Sequence, residues 1–390
     1  VIKEEFEMKK AFLIAITLFL IYPCLAEDYF YLGDREGEAE LISPRQVTEG
    51  PDGNIYVYDQ LTAFIKVFSP EGRFLRKMGG KGQGPGEIQR MDGVSFGFTY
   101  DKKRLFFTEF FGGHRWITFM ELTGKFHNVL KLKMKRNYAI SYAISLKDGG
   151  FLAEASFPCD SKRKKDYFLY HCPRAIVKIS PEGEIVSEIL RTSHVERISM
   201  MRDGADLPIP FVLVSKWVRL KDGSIVFTEG LSSVLKVYDS NGKITGEIKI
   251  PLPEPQPVTP EDLEKWKKNY EDGIRNKVWF RRFGKVLDKY KKSIYEKKPN
   301  IGAISLTPGN NLLIASGLNA SIKGNQFWLI DLSGRTLKKI EINGYNLRIS
   351  EHFVFIKFRD EDDNLLVFCM KRKGKEAEDL DRLEKYQVRF

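Results

Sequence analysis

Short stretches in which β-branched and aromatic residues alternate with polar ones recur along the whole chain, each preceded by a polar turn. Asp52-Gly53-Asn54-Ile55-Tyr56-Val57-Tyr58-Asp59 and Asp222-Gly223-Ser224-Ile225-Val226-Phe227-Thr228-Glu229 align without a gap. Weaker copies begin at Lys103, Asp148, Asn311 and Asp363, the last reading Asp363-Asn364-Leu365-Leu366-Val367-Phe368. Turn residues followed by period-two alternation predict one tight turn and one strand in each of these six copies.

A second unit follows most of them. Ile65-Lys66-Val67-Phe68 runs into Ser69-Pro70-Glu71-Gly72, and Ile176-Val177-Lys178-Ile179 runs into Ser180-Pro181-Glu182-Gly183. The closing glycines are Gly72, Gly124, Gly183, Gly242 and Gly334, at intervals of 52, 59, 59 and 92 residues. Each supplies the positive φ that a hairpin turn needs. The last interval is longer because it contains a differently patterned segment, 259–300. A regular interval of this size, with room for four short strands, predicts propeller blades. The expected fold is all-β: one six-bladed β-propeller over 27–390, with a helical insertion between blades 4 and 5. The sixth copy lacks a closing hairpin. A segment near 29–32 or 39–42 is therefore expected to complete the blade begun near Phe353, leaving no open sheet edge.

Residues 52–59 and 65–72, followed by Gly79-Gly80-Lys81-Gly82-Gln83-Gly84-Pro85-Gly86-Glu87, resemble an NHL-type repeat. The chain as a whole resembles bacterial secreted six-bladed β-propeller proteins of that superfamily. No Trp precedes an Asp, so a WD40 repeat is not supported. The resemblance implies a scaffold whose members include binding proteins, lactonases and lyases, so the fold leaves function open. The glycine run 79–86 alternates, satisfies neither phosphate-loop spacing, and reads as the connection between blades 1 and 2.

Two segments depart from the repeat. In 259–300, Thr259-Pro260-Glu261-Asp262 has the form of a helix start, and Leu263, Trp266, Tyr270, Ile274 and Val278 recur at helical spacing. Residues 261–298 hold 13 Lys/Arg against 7 Asp/Glu, more than half of the net +11 of the chain (63 Lys+Arg, 52 Asp+Glu). Trp266, Lys267, Arg275, Trp279, Arg281, Arg282 and Lys285 are the candidate partner-contact residues of this arm; the alternative is an amphipathic cap with solvated lysines. The second departure lies between Cys159 and Cys172 in the third blade. These two cysteines are positioned to staple a polar-tipped loop, with a metal pair including His171 as the alternative. Cys369 is expected to be free and buried.

Met8-Lys9-Lys10, the apolar run 11–22 and Cys24-Leu25-Ala26 form the pattern of a secretory signal peptide over 1–26, with Met8 as the expected start. Export to the periplasm or outside the cell follows. An uncleaved anchor and lipidation at Cys24 are the alternatives. Four cysteines are too few for a disulfide scaffold, and the composition excludes a disordered chain.

The candidate chemistry is sparse. Asp59, Glu109 and Glu229 occupy one position just after the second strand of their blades, where the other copies carry Ala155, Ser316 and Cys369. Such carboxylates could gather at one channel end and hold Ca²⁺, as the resemblance to lactonase-type propellers implies, or each could cap its own turn. His114, His127, His171, His194 and His352 share no blade position, so the ligand set of a lyase is not expected, and no nucleophile elbow is present. The expected function is a non-catalytic, exported, monomeric scaffold that binds a protein, peptide or glycan on one face. Peripheral membrane contact is allowed; nucleic acid and a bound cofactor are not expected. The alternative is a Ca²⁺-dependent lactonase-like hydrolase.

Overall fold

The computed structural model describes residues 28–386 apart from 34–35, 90–92, 110–115, 135–138, 159, 164–166, 201–205, 209–214, 265–267, 269–296, 317–324, 343–345 and 360–364. The segment 1–26 thus lies outside the described residues.

Six antiparallel sheets follow one another around an axis. An N-terminal strand, β1 (Tyr29–Leu32), precedes them. Blade 1 is β2 (Pro44–Glu49), β3 (Ile55–Asp59), β4 (Phe64–Phe68) and β5 (Phe74–Gly79). Blade 2 is β6 (Val94–Phe98), β7 (Arg104–Glu109), β8 (Trp116–Glu121) and β9 (Phe126–Lys131). Blade 3 is β10 (Ala139–Ser145), β11 (Phe151–Ser156), β12 (Asp160–Arg163), β13 (Tyr167–Ile179), β14 (Ile185–Met200) and β15 (Asp206–Pro208). Blade 4 is β16 (Lys216–Arg219), β17 (Ile225–Thr228), β18 (Val234–Tyr238) and β19 (Ile244–Lys249). Blade 5 is β20 (Ile301–Leu306), β21 (Leu312–Ser316), β22 (Asn325–Ile330) and β23 (Thr336–Ile342). Blade 6 contains β24 (Asn346–Ile349), β25 (Phe353–Arg359) and β26 (Leu365–Lys371), and β1 adds to β26 as its outer strand.

The ring therefore closes through β1, in the register Tyr29↔Met370 to Leu32↔Val367, as one of the two expected segments. One expectation needs correcting. The copy at 363–368 is the third strand of its blade, β26, whereas the second strand is β25. An apolar strand reads the same in either place, because both are buried between neighbouring blades.

That burial explains why second strands such as Ile55–Asp59 are apolar almost throughout. Tyr56 and Tyr58 pack with Phe96, Leu105 and Phe107 of blade 2, while Ile55 and Val57 pack with Phe353 and Phe355 of blade 6. Alternate side chains leave opposite faces of a strand, and in a propeller both faces meet another sheet.

Three of the glycines that close these hairpins are required twice over. Gly183, Gly242 and Gly334 have φ of 84°, 82° and 91°. A Cβ on them would lie 2.2, 2.3 and 2.1 Å from the carbonyl oxygens of Lys131, Ile189 and Lys249, each on the outer strand of the preceding blade. The turn of one blade is thereby seated on the edge of the last.

Both departures from the repeat rise from the same end of the ring, the end at which second strands finish. Ser156, the last residue of β11, pairs with Arg174, and β13 and β14 continue beyond it, with β12 and β15 along their flanks. The segment 250–300 leaves after Lys249 and returns to Ile301, which pairs with Ser316 at the finish of β21. Its two ends are clipped together by the Pro257–Lys297 bridge and a bond from Lys298 N to the Gln256 carbonyl (2.7 Å). Residues 260–264 are helical, with the Thr259 hydroxyl accepting from Asp262 N (3.2 Å) and the Asp262 carboxylate accepting from Thr259 N (2.9 Å). The remainder of the expected helical insertion, with Trp266, Lys267, Arg275, Trp279, Arg281, Arg282 and Lys285, lies outside the described residues. So does Cys159, while only the backbone of Cys172 is described. Cys369 is free and buried.

Helix α1 (Glu376–Tyr386) was not anticipated. Its Leu380 and Leu383 enter the core between blades 5 and 6, and Glu376 accepts from Thr307, Gly309 and Asn311 in the first turn of blade 5.

Candidate functional site

The first strand of each blade, β2, β6, β10, β16, β20 and β24, is the edge strand at the axis, and β6 packs near β10 and β16 near β20. Their registers define one ring of equivalent residues. Gln46, Ser95, Tyr142, Lys216, Ala303 and Asn346 pair with Tyr58, Thr108, Glu154, Thr228, Ala315 and Lys357, respectively. All six ring members keep access to solvent, whereas the next residues Val47, Phe96, Ala143, Trp217 and Leu347 are buried. The ring therefore lines the central channel close to the end from which the insertions rise.

Its chemistry is polar and cationic. Gln46 stitches blade 1 to blade 2, donating to the Phe96 carbonyl (2.7 Å) and accepting from Phe96 N (3.1 Å). Tyr142 is 39% accessible to water yet enclosed by protein around the channel, and burial pushes its phenol pKa up. Its ring meets Trp217 edge-on at 5.3 Å. Trp217 Nε1 donates to Glu154 (3.4 Å), and Glu154 is paired with Arg174 (2.8 Å). Arg348, two residues beyond Asn346, reaches the Val47 carbonyl (3.4 Å). Burial lowers the pKa of Arg348, and its charge acts on Tyr142 from the opposite blade. Burial likewise lowers Lys216, partly offset by the attraction of Glu154. Among the described residues, neither Lys216 nor Arg348 forms an ion pair.

Lys357 lies behind the ring, 4% exposed, and donates to the carbonyls of Arg45 (2.5 Å) and Pro44 (3.5 Å) of blade 1. Burial, reinforced by the charge of Arg45, lowers its pKa to about 8.

The three carboxylates singled out from sequence each belong to their own blade. Asp59 is buried, accepts from Ile42 N (3.1 Å) and Ser43 N (2.8 Å), and pairs with Lys66 at 3.5 Å. Glu109 is buried and accepts from Gln89 N (2.9 Å). Glu229 is exposed and borders a cleft of about 510 Å³ between blades 3 and 4, with Arg191, Thr192 and Lys236. Among the described residues no three His, Cys, Asp or Glu side chains lie close enough to hold a metal ion. Cys369, aligned with this set from the sequence, sits instead in β26, opposite Phe30 and Phe355. The glycine run folds around a carboxylate: Glu87 accepts from Gly84 N (2.7 Å) and fills the space beside Gly82.

The channel ring escaped sequence reasoning. Its members are dispersed over blades with no shared residue type, and the available signal was the residue opposite the fourth or fifth position of each second strand.

Residues 38–179 match the model of a family described as a 6-bladed beta-propeller (DUF5128). No curated protein matches the sequence. Among solved structures, the chain is similar to a candidate exported protein from Bacteroides fragilis, at 13% identity and a TM-score of 0.50, covering 89% of this chain and 95% of that one. The chain is also similar to virginiamycin B lyase from Staphylococcus aureus (11% identity, TM-score 0.43, 88% and 98% covered). A further similarity is to the calcium-binding protein regucalcin from Agrobacterium tumefaciens (10%, 0.43, 88% and 95%). At 13% identity the likeness to the Bacteroides fragilis protein concerns the fold alone, the six-bladed β-propeller formed by the six sheets of this chain.

Proposed function

We propose that this protein is an exported binding module that receives an anionic protein, peptide or glycan at the insertion-bearing end of the propeller and performs no chemistry on it. The observation that carries this reading is the channel ring at that end, which presents Lys216, with Arg348 close behind, and no carboxylate. The segment 250–300 departs from and returns to the same end, and its sequence holds an excess of Lys and Arg. Export is the reading of the basic-apolar start of the chain.

The test has two arms. Arrays of acidic peptides and of uronate-bearing or sulfated glycans, probed with purified protein, should show saturable binding that weakens as salt rises. A parallel screen of lactones and phosphotriesters should show no turnover. Turnover with tightly held Ca²⁺, abolished in Glu229→Gln, would overturn the reading in favour of a hydrolase.

A further inference from the structure

We infer that the channel ring is a binding site for an organic carboxylate, held between Lys216 and Arg348 and flanked by the aromatic pair Tyr142 and Trp217. This deepens the binding-module reading and rests on it.

The first argument is charge. Lys216 on β16 and Arg348 on β24 belong to the axial edge strands of blades 4 and 6, and neither has an acidic partner among the described residues. Glu154, the carboxylate acting on Lys216, is already engaged by Arg174 (2.8 Å) and by Trp217 Nε1 (3.4 Å). A cation withdrawn from water without a partner is unfavourable. A propeller could fill such a position with an apolar side chain, as Ala303 does at the equivalent place on β20. Keeping two cations there is useful if an anion completes them.

The second argument is shape and surface. Tyr142 is 39% accessible although protein surrounds it, so its accessible surface faces the channel. The buried Trp217 backs the Tyr142 ring edge-on at 5.3 Å, so the channel-facing surface here is aromatic. A planar guanidinium matches a carboxylate with paired N–H donors, and a tyrosine hydroxyl can donate to the same group. An apolar wall beside such donors suits the carbon body of an organic acid, which inorganic phosphate lacks. Ala303, the smallest ring member, leaves room on the side of blade 5.

The test uses the full chain and reads Trp217 fluorescence as the difference between wild type and Trp217→Phe, together with thermal unfolding. Benzoate is titrated at constant ionic strength against benzamide, its uncharged counterpart, and against inorganic phosphate. Benzoate should change the Trp217 signal saturably and raise the unfolding temperature, and benzamide should not. Lys216→Met and Arg348→Met should each weaken benzoate at least about tenfold. The same variants should unfold at equal or higher temperature without ligand, because each removes an unpaired cation. A purely structural role predicts the reverse, a loss of stability. No saturable response at millimolar benzoate, an equal response to benzamide, or phosphate binding as tightly as benzoate would each overturn the assignment. If acidic peptides or glycans still bind in that event, the binding-module reading survives without this site. The wild-type comparison of benzoate with benzamide decides the matter even if a variant fails to fold.

Discussion

Asp59 and Lys66 form an ion pair at 3.5 Å in which both side chains are buried, inside blade 1. The pair joins neighbouring strands β3 and β4, and the Asp59 carboxylate also accepts two backbone N–H groups from the segment entering β2. A carboxylate so fully engaged serves the blade. Asp59→Ala should therefore destabilise the protein by about 3–5 kcal/mol, because Lys66 is left as an uncompensated buried charge. The double variant Asp59→Ala, Lys66→Met should recover much of that loss in urea unfolding. Destabilisation no greater than that of an exposed site, or no recovery in the double variant, would contradict the assignment.

Gly334 and Gly53 separate two reasons for glycine. Both have positive φ, 91° and 76°, but a Cβ meets the Lys249 carbonyl at 2.1 Å in the first and open space in the second. Gly53→Ala should cost about 1 kcal/mol, the backbone term alone. Gly334→Ala should cost clearly more, since the turn must also move off the neighbouring blade. Thermal unfolding of the two variants side by side checks the difference.

Closure of the ring rests on β1. Phe30 pairs with Cys369 in the sheet, and its ring also occupies the space beside Gly72 of blade 1. Deleting residues 28–32 should open the edge of β26 and expose the thiol of Cys369, which burial holds well above its ordinary pKa. In a background with Cys24, Cys159 and Cys172 changed to Ser, a thiol reagent should leave the intact chain unlabelled under native conditions and label the truncated one. Equal labelling of both would show that β1 is dispensable.

Lys357 makes stability depend on pH in a definite direction. The unfolded chain keeps its proton up to the ordinary value of 10.5, while the folded chain releases it near about 8. Between those values the unfolded state binds more protons, so this residue makes stability rise with pH there. Lys357→Met should stabilise the protein most near neutral pH, by at most about 3 kcal/mol before the loss of its two carbonyl contacts is subtracted. The advantage should shrink as pH rises through the window. A difference between wild type and variant that stays flat across it would show that Lys357 is not desolvated.

Much of the architecture was legible along the chain because hydrogen bonding and turn chemistry are local. The Asp-Gly turn before Ile55 and Ile225 and the glycine after Ile179 and Tyr238 announce hairpins wherever they occur. The swap of β25 and β26 shows the limit: two consecutive apolar strands buried on both faces carry the same pattern, and only pairing with β24 and β1 tells them apart. The helix at Glu376–Tyr386 was missed although Glu376, Leu380 and Leu383 lie at helical spacing, because only these few apolar and capping positions stand out among its many charged residues.

From its own sequence, this protein's repeat interval, its closing glycines and the need to cover a last sheet edge determine a closed propeller and the place of its insertion. Which residues meet at the axis was decided by tertiary structure. Gln46, Tyr142, Lys216 and Asn346 come together because each blade contributes one edge strand, and because one-residue bulges in β2, β10 and β20 set which side chain faces the channel. Spacing along the chain does not encode that choice, since a bulge shifts the register by a residue and sends every later side chain to the other face.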